Sequence, residues 1–240
     1  MIAQNIETIR AQMREAALQA GRDPREILLC AATKMNDAQR VREAVAAGVD
    51  CCGENRVQEL TLKLKDDAYT GAPVHFIGHL QTNKVKQVVG YVDLIQSVDR
   101  MELLECIEKE AAKKELTQDI LLEINVAGEE SKSGFAPEEI LEIAAKMGEF
   151  PHCRLRGLMA IPPISAHPGD NCRYFEKIKR ISVDITQKKY HNISMDILSM
   201  GMTDDFEDAI ACGSTMVRVG TAIFGARNYG GTPDATGLPK

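Results

Sequence analysis

An eight-stranded parallel α/β barrel is the fold class this sequence predicts, on three observations. Strand-like and helix-like patterns alternate along the chain, the strand-like runs are continuously apolar, and 240 residues accommodate eight such units. Continuous apolarity marks a strand covered on both faces, as in a parallel sheet, whereas strict alternation marks a sheet with one wet face. The runs fall near 27–33, 49–53, 74–78, 93–97, 119–126, 155–161, 195–200 and 216–219. An open doubly wound sheet with as many strands is the competitor. No Gly-x-Gly-x-x-Gly follows the first run, which disfavours the dinucleotide-binding form of that sheet.

The elements follow in order. Ile2, Ile6, Ile9, Met13 and Ala17 recur at helical spacing and predict an N-terminal helix ending at Gly21, additional to the barrel repeat. Ile27 to Ala32 is the first strand, closed by Thr33 and Lys34. A helix through Val41, Ala44, Val45 and Ala46 stops at Gly48, and the next strand, Val49 to Cys52, ends in Gly53-Glu54-Asn55. Each of the first seven strands precedes a stretch of helical character, such as Met101 to Lys114. Another such stretch is Pro137 to Met147, where proline in the first turn with acids behind it marks a helix start. Pro162 to Asn171 is the longest irregular stretch, expected as a surface excursion. The tail over 226–240, rich in Gly and Pro, is expected to be loose. With no linker leading to a second run of elements, residues 1–240 read as one barrel domain.

Composition narrows the class of function. A net charge of −6 argues against nucleic-acid binding through a basic face. No run of eighteen apolar residues suggests a membrane span, and the charged N-terminus lacks the order of a signal peptide. Seven cysteines, at 30, 51, 52, 106, 153, 172 and 212, form no paired framework. They read as reduced, mostly buried residues of a cytoplasmic protein.

A barrel of this type carries its chemistry at the C-terminal ends of the strands. Lys34 follows six apolar residues and Thr33 at the end of the first strand, and a partly desolvated lysine there can form a Schiff base; it can equally snorkel to solvent. Ser199, Gly201, Gly220 and Thr221 follow strands seven and eight, where barrels frequently bind phosphate. Gly220 lets backbone N–H groups approach an anion and the hydroxyls add donors, although turn chemistry requiring positive φ is an alternative. Arg218 lies inside an otherwise apolar strand and needs a carboxylate or a ligand acceptor. A lysine for an aldehyde, a cradle for a phosphate and a partner for a ring nitrogen together fit pyridoxal 5′-phosphate (PLP).

At this point a resemblance becomes specific. AATK at 31–34, GENRVQE at 53–59, HFIGHLQTNK at 75–84, SVDR at 97–100 and NVAGEESKSG at 125–134 occur in that order. LRGLMAIP at 155–162, LSMGMTDDFEDAI at 198–210 and GSTMVRVGTAIFG at 213–225 follow them. In these segments the chain resembles the pyridoxal phosphate homeostasis proteins, a PLP-binding protein family. The family shares its (β/α)8 TIM barrel with the N-terminal domain of alanine racemase. The resemblance implies that Lys34 carries the Schiff base and Arg218 faces the pyridine nitrogen. It further implies that Ser199, Gly220 and Thr221 hold the phosphate and that Asn55 lies close to the ring. The family usually has an aromatic or aliphatic residue before GEN and a tyrosine-like residue after it, where this chain has Cys52 and Arg56.

The implied function is to hold PLP and contribute to vitamin B6 and amino-acid homeostasis, without robust catalysis. A guanidinium only donates hydrogen bonds, so the ring nitrogen opposite is unprotonated and a weaker electron sink. The racemase also takes its second acid/base group from a C-terminal β-domain that nothing here encodes, and for the same reason a monomer is expected. Expected partners are PLP itself and PLP-dependent apo-enzymes, with neither nucleic acid nor membrane. A racemase-like PLP enzyme and a Schiff-base aldolase on a phosphorylated sugar are the alternatives. His75 and His79 fit a metal pair only if their strand bends, Cys51 and Cys52 read as buried strand residues, and the 129–134 segment reads as a solvated loop, a lid or a partner surface.

Overall fold

The structure is a computed structural model that describes residues 1–164 and 167–225. The expectation of a loose tail over 226–240 and part of the irregular 162–171 stretch lie outside the described residues.

Eight parallel strands close into a barrel. They are β1 (Leu28–Ala32), β2 (Cys51–Glu54), β3 (Val74–Phe76), β4 (Leu94–Val98), β5 (Gln118–Ile124), β6 (Cys153–Ala160), β7 (Ile193–Ser199) and β8 (Met216–Val219). Each pairs with the next, and β8 returns to β1 with Cys30 opposite Arg218. The helices are α1 (Ile2–Gln19), α2 (Ala38–Ala46), α3 (Val57–Lys65), α4 (Met101–Lys113), α5 (Ile140–Lys146), α6 (Cys172–Lys188), α7 (Phe206–Ala211) and α8 (Thr221–Phe224). Among the described residues, no helix is long and apolar enough to cross a membrane.

Two helical expectations change. The segment after β3 forms 3-10 turns over Thr82–Gln87 rather than an α-helix. The helix expected from Pro137 begins three residues later, because Pro137 to Glu139 form a turn in which the Glu139 carboxylate accepts from the Ala136 amide at 2.8 Å.

Strand periodicity divides the side chains between two cores. Leu29, Ala31, Cys52, Ile95 and Ile120 point outward into the large cluster beneath the helices. The intervening residues fill the barrel, where Cys30, Cys51 and Met216 form one small group and Leu94, Leu121 and Met159 another, with Ile197 against both. Gly157 permits a register shift between β5, β6 and β7: its φ is +153°, and a Cβ there would meet the Ile197 carbonyl oxygen at 1.8 Å.

α1 buries the predicted face of Ile2, Ile6, Ile9, Met13 and Ala17, each large side chain contributing roughly 1.5–3 kcal/mol. It packs on α2, α7 and α8. Asn5 Nδ2 donates to the Ile223 carbonyl at 2.8 Å, and Arg22 Nη1 donates to the carbonyls of Ile210 and Ser214, both at 2.7 Å.

Candidate functional site

The residues singled out in sequence come together on four consecutive strand ends. Ser199 closes β7, Arg218 is the penultimate residue of β8 with Gly220 and Thr221 beyond it, Lys34 follows β1, and Asn55 follows β2. Closure of the barrel makes this set contiguous: Ala31 pairs with Val219, Ala32 with Gly53, and the Thr33 amide donates to the Gly53 carbonyl at 2.9 Å.

Arg218 is buried, which disfavours its charged form and lowers its pKa. Three acceptors hold it. Nη1 donates to the Ser199 carbonyl and to Ser199 Oγ, both at 2.6 Å, and Nη2 donates to the Ala160 carbonyl at 2.8 Å. The guanidinium therefore sits level with the last residues of β6 and β7, at the barrel mouth. Among the described residues no carboxylate lies within ion-pair distance of it.

Ser199 acquires a role that sequence reasoning did not assign. Its buried hydroxyl accepts from Arg218 and donates to Gln96 Oε1, both at 2.6 Å. Gln96 Nε2 in turn lies 2.9 Å from His75 Nδ1 and 3.2 Å from Met216 Sδ. A polar chain thus runs from Arg218 through Ser199 and Gln96 to His75. Burial depresses the His75 pKa to about 4, so its imidazole is neutral at pH 7.

Gly220 has φ −120°, so positive φ is not what requires glycine there. The requirement is approach: a Cβ would lie 3.3 Å from both the Cβ and the carbonyl oxygen of Ala32. Turn chemistry does govern Gly201, at φ +94° and hard against Phe206 and Ala209. Thr221 is exposed and opens α8, where the Ile223 and Phe224 amides donate to the Gly220 carbonyl at 3.0 and 2.9 Å.

Beneath Lys34 lies a buried polar knot. Glu54 Oε1 accepts from Thr33 Oγ1 at 2.6 Å, Lys63 Nζ at 2.5 Å and Tyr69 Oη at 3.0 Å. Lys63 also donates to the Thr33 carbonyl at 2.8 Å, and Glu59 Oε2 accepts from the Met35 amide at 2.7 Å. The backbone on both sides of Lys34 is thereby fixed from α3, and Met35 takes φ +61°. Burial and the adjacent Glu54 carboxylate push the Tyr69 pKa well up, so its hydroxyl stays protonated and donating.

The opposite rim carries acids and a histidine. His79 Nδ1 lies 3.0 Å from Asp99 Oδ2 and 3.5 Å from Ser133 Oγ, so the 129–134 segment reaches across to the loop after β3. His75 points into the barrel and His79 stays at its rim, so the two do not form a metal pair. Glu123, on β5, is buried, which raises its pKa to about 7; Asp99 adds to the rise, and Arg218 and Lys132 oppose it.

The arrangement fits a phosphorylated pyridine aldehyde on observations of this chain alone. Asn55 Oδ1 is buried without a partner at the end of β2, a buried guanidinium with unused N–H donors lies at the mouth, and the glycine turn after β8 lies against the strand that carries Lys34. Gly78 packs closely on the Asn55 backbone, since a Cβ on Gly78 would meet the Asn55 carbonyl oxygen at 2.2 Å.

The chain is similar to known proteins over nearly its whole length. Residues 2–228 match the family model described as alanine racemase, N-terminal domain. A pyridoxal phosphate homeostasis protein of Pseudomonas aeruginosa is 41% identical over 95% of this chain and 97% of its own. An unknown protein from Bifidobacterium adolescentis superposes with TM-score 0.88 at 38% identity, over 93% of this chain and 94% of that one. PipY of Synechococcus elongatus, solved with PLP bound, superposes with TM-score 0.81 at 29% identity, over 94% of this chain and all of that one.

Proposed function

The chain belongs to the pyridoxal phosphate homeostasis protein family, and from that membership we propose that it holds PLP at the barrel mouth through Lys34 and buffers the free cofactor. The contiguity of the β7, β8, β1 and β2 ends, with every residue implied by the resemblance on them, carries this reading. PLP, when bound, supplies an aldehyde that captures amines reversibly and a pyridine ring that withdraws electrons.

The chain's own groups define what the site does with it. Lys34 supplies the amine from a turn clamped by Lys63 and Glu59. The backbone after β8 at Gly220 and Thr221, together with the Ser199–Gly201 turn, would hold the phosphate. Ser199 contributes by fixing Arg218, and Asn55 offers its unpartnered oxygen beside the ring. Arg218 can only donate, so it would leave a ring nitrogen opposite it unprotonated and make the bound ring a weaker electron sink than a pyridinium. Storage and release follow, with PLP-dependent apo-enzymes as recipients and a monomer in the cytoplasm as the carrier.

Titration of the purified chain with PLP, followed by borohydride reduction and peptide mass mapping, tests the reading. A visible absorption band that reduction abolishes, with the label on Lys34 and none in Lys34→Ala, is the expected result. A chain that stays colourless on PLP addition overturns it. Deuterium exchange at Cα across a panel of amino acids separates a carrier from a racemase, since rapid exchange contradicts storage.

A further inference from the structure

Inside the barrel, below the Arg218–Ser199 layer, three sulfur and nitrogen donors converge from three strands, with the Met216 thioether of a fourth in the same interior. Cys30 on β1 and Cys51 on β2 are register partners. His75 on β3 pairs with Gly53, two residues beyond Cys51 on the same inward face. The two Sγ atoms and an imidazole nitrogen all lie within 4.8 Å of one another. Met216 on β8 belongs to the same small buried cluster as the two cysteines. All four residues are buried, His75 being the most accessible at 7%.

The chemistry of this set is specific. Two thiols, an imidazole and a thioether contain no carboxylate, so the donors are soft and suit a closed-shell thiophilic cation rather than Mg2+ or Ca2+. The approach of the donors matches what tetrahedral coordination needs, with Zn–S near 2.3 Å and Zn–N near 2.0–2.1 Å, since a 4.8 Å separation closes with small rotamer adjustments. Gly53 contributes space: a Cβ there would lie 2.9 Å from Cys30 Sγ. Gln96 Nε2 lies 2.9 Å from His75 Nδ1, so metal binding through Nε2 requires the Gln96 amide to turn and present Oε1 to an Nδ1–H, after which it would fix the ring as partners of metal-bound histidines do. Arg218, the register partner of Cys30, sets a buried positive charge beside the sulfurs and offsets thiolate charge.

We propose that Cys30, Cys51 and His75, with Met216 completing the set, form a binding site for one soft cation, Zn2+ or Cu+, inside the barrel. Binding forms two metal–thiolate bonds and a metal–imidazole bond, and the two thiol protons leave to solvent. With Zn2+ the coordinated set is neutral. With Cu+ it is a monoanion beside Arg218, and the thioether is the stronger contributor.

Because every ligand is buried, the cation is loaded as the barrel closes, and the test supplies it during synthesis. Full-length chain is produced under reducing conditions in medium supplemented with zinc, copper or cobalt, desalted through a chelator and assayed for metal per chain. The expected result is one equivalent of zinc or of copper, and in the cobalt sample a thiolate-to-metal charge-transfer band. Cys30→Ser and Cys51→Ser each abolish retention, Gln96→Leu weakens it by roughly 10–100-fold, and Cys153→Ser, outside the cluster, retains it. Retention in zinc but not copper medium, unaffected by Met216→Leu, assigns Zn2+; copper retention lost in Met216→Leu assigns Cu+. Wild type that keeps no metal above background in any medium overturns the proposal. So does metal retained equally in Cys30→Ser and Cys51→Ser. If either serine variant fails to fold, the cobalt spectrum of wild type decides, and absence of the thiolate band overturns the site.

Discussion

Lys63 Nζ donates to the Thr33 carbonyl at 2.8 Å, one residue before Lys34, while pairing with Glu54 Oε1 at 2.5 Å. A cation on α3 therefore holds the backbone of the turn after β1, and that turn carries the amine proposed to receive the cofactor. Replacing Lys63 by Met leaves the Glu54 carboxylate buried and unpaired, a loss of about 3–5 kcal/mol. Denaturant unfolding should show that loss, and borohydride trapping at Lys34 should slow relative to wild type. Unchanged stability would mean that Tyr69 and Thr33 suffice to hold Glu54.

Ser199→Ala removes an acceptor from Arg218 and a donor from Gln96, both in the interior. Unsatisfied buried partners cost about 1–3 kcal/mol. The informative readout is optical: a guanidinium released from its anchor shifts the band of bound PLP, whereas a purely structural role for Ser199 lowers the unfolding midpoint and leaves the band in place.

Gly220→Ala places a methyl 3.3 Å from Ala32 and spreads the ends of β1 and β8 by a few tenths of an ångström. Overpacking of about 1.4 kcal/mol, within the usual range, corresponds to about tenfold weaker binding of PLP if it falls on the bound state. Equilibrium titration at the visible band checks this, and an unchanged dissociation constant would remove Gly220 from the cradle.

Glu123 makes stability depend on pH. Burial raises its pKa from 4.5 to about 7, so the folded chain holds this proton more tightly than the unfolded chain. The associated stability is complete below pH 4.5 and is lost as pH rises through about 7, amounting to about 3 kcal/mol. Glu123→Gln cannot ionise. The unfolding free energy of wild type relative to Glu123→Gln should therefore fall across that window, and parallel curves would show that Glu123 titrates normally.

The barrel was legible because eight apolar runs, covered on both faces, admit few closures, and the inward face of α1 could be read residue by residue from Ile2 to Ala17. The 3-10 segment at Thr82–Gln87 was not, since its amphipathic composition suits an α-helix equally and packing decides between the two. Positions on strand ends were legible for a similar reason: Lys34 and Arg218 are charges abutting apolar runs. Their supports were hidden. Gln96 lies in a strand of otherwise unremarkable composition, and its contacts reach 103 residues along the chain to Ser199. Glu54 stands in the Gly53-Glu54-Asn55 segment, but the ion pair to Lys63 depends on how α3 folds back over β2. Cys30, Cys51 and His75 are separated by over twenty residues at each step, and only strand register aligns them.

The placement of α1 has a consequence for biosynthesis. The helix translated earliest among the described residues docks on α7 and α8, translated last, through Asn5–Ile223 and Arg22–Ser214. β1 likewise waits for β8. A chain emerging from the ribosome must therefore carry an apolar helix face and two open sheet edges until nearly its whole length is available, which exposes it to slow closure and to aggregation. The proposed cofactor site spans the same seam. A partly made chain has no place to keep PLP, so possession of the cofactor certifies that the barrel has closed.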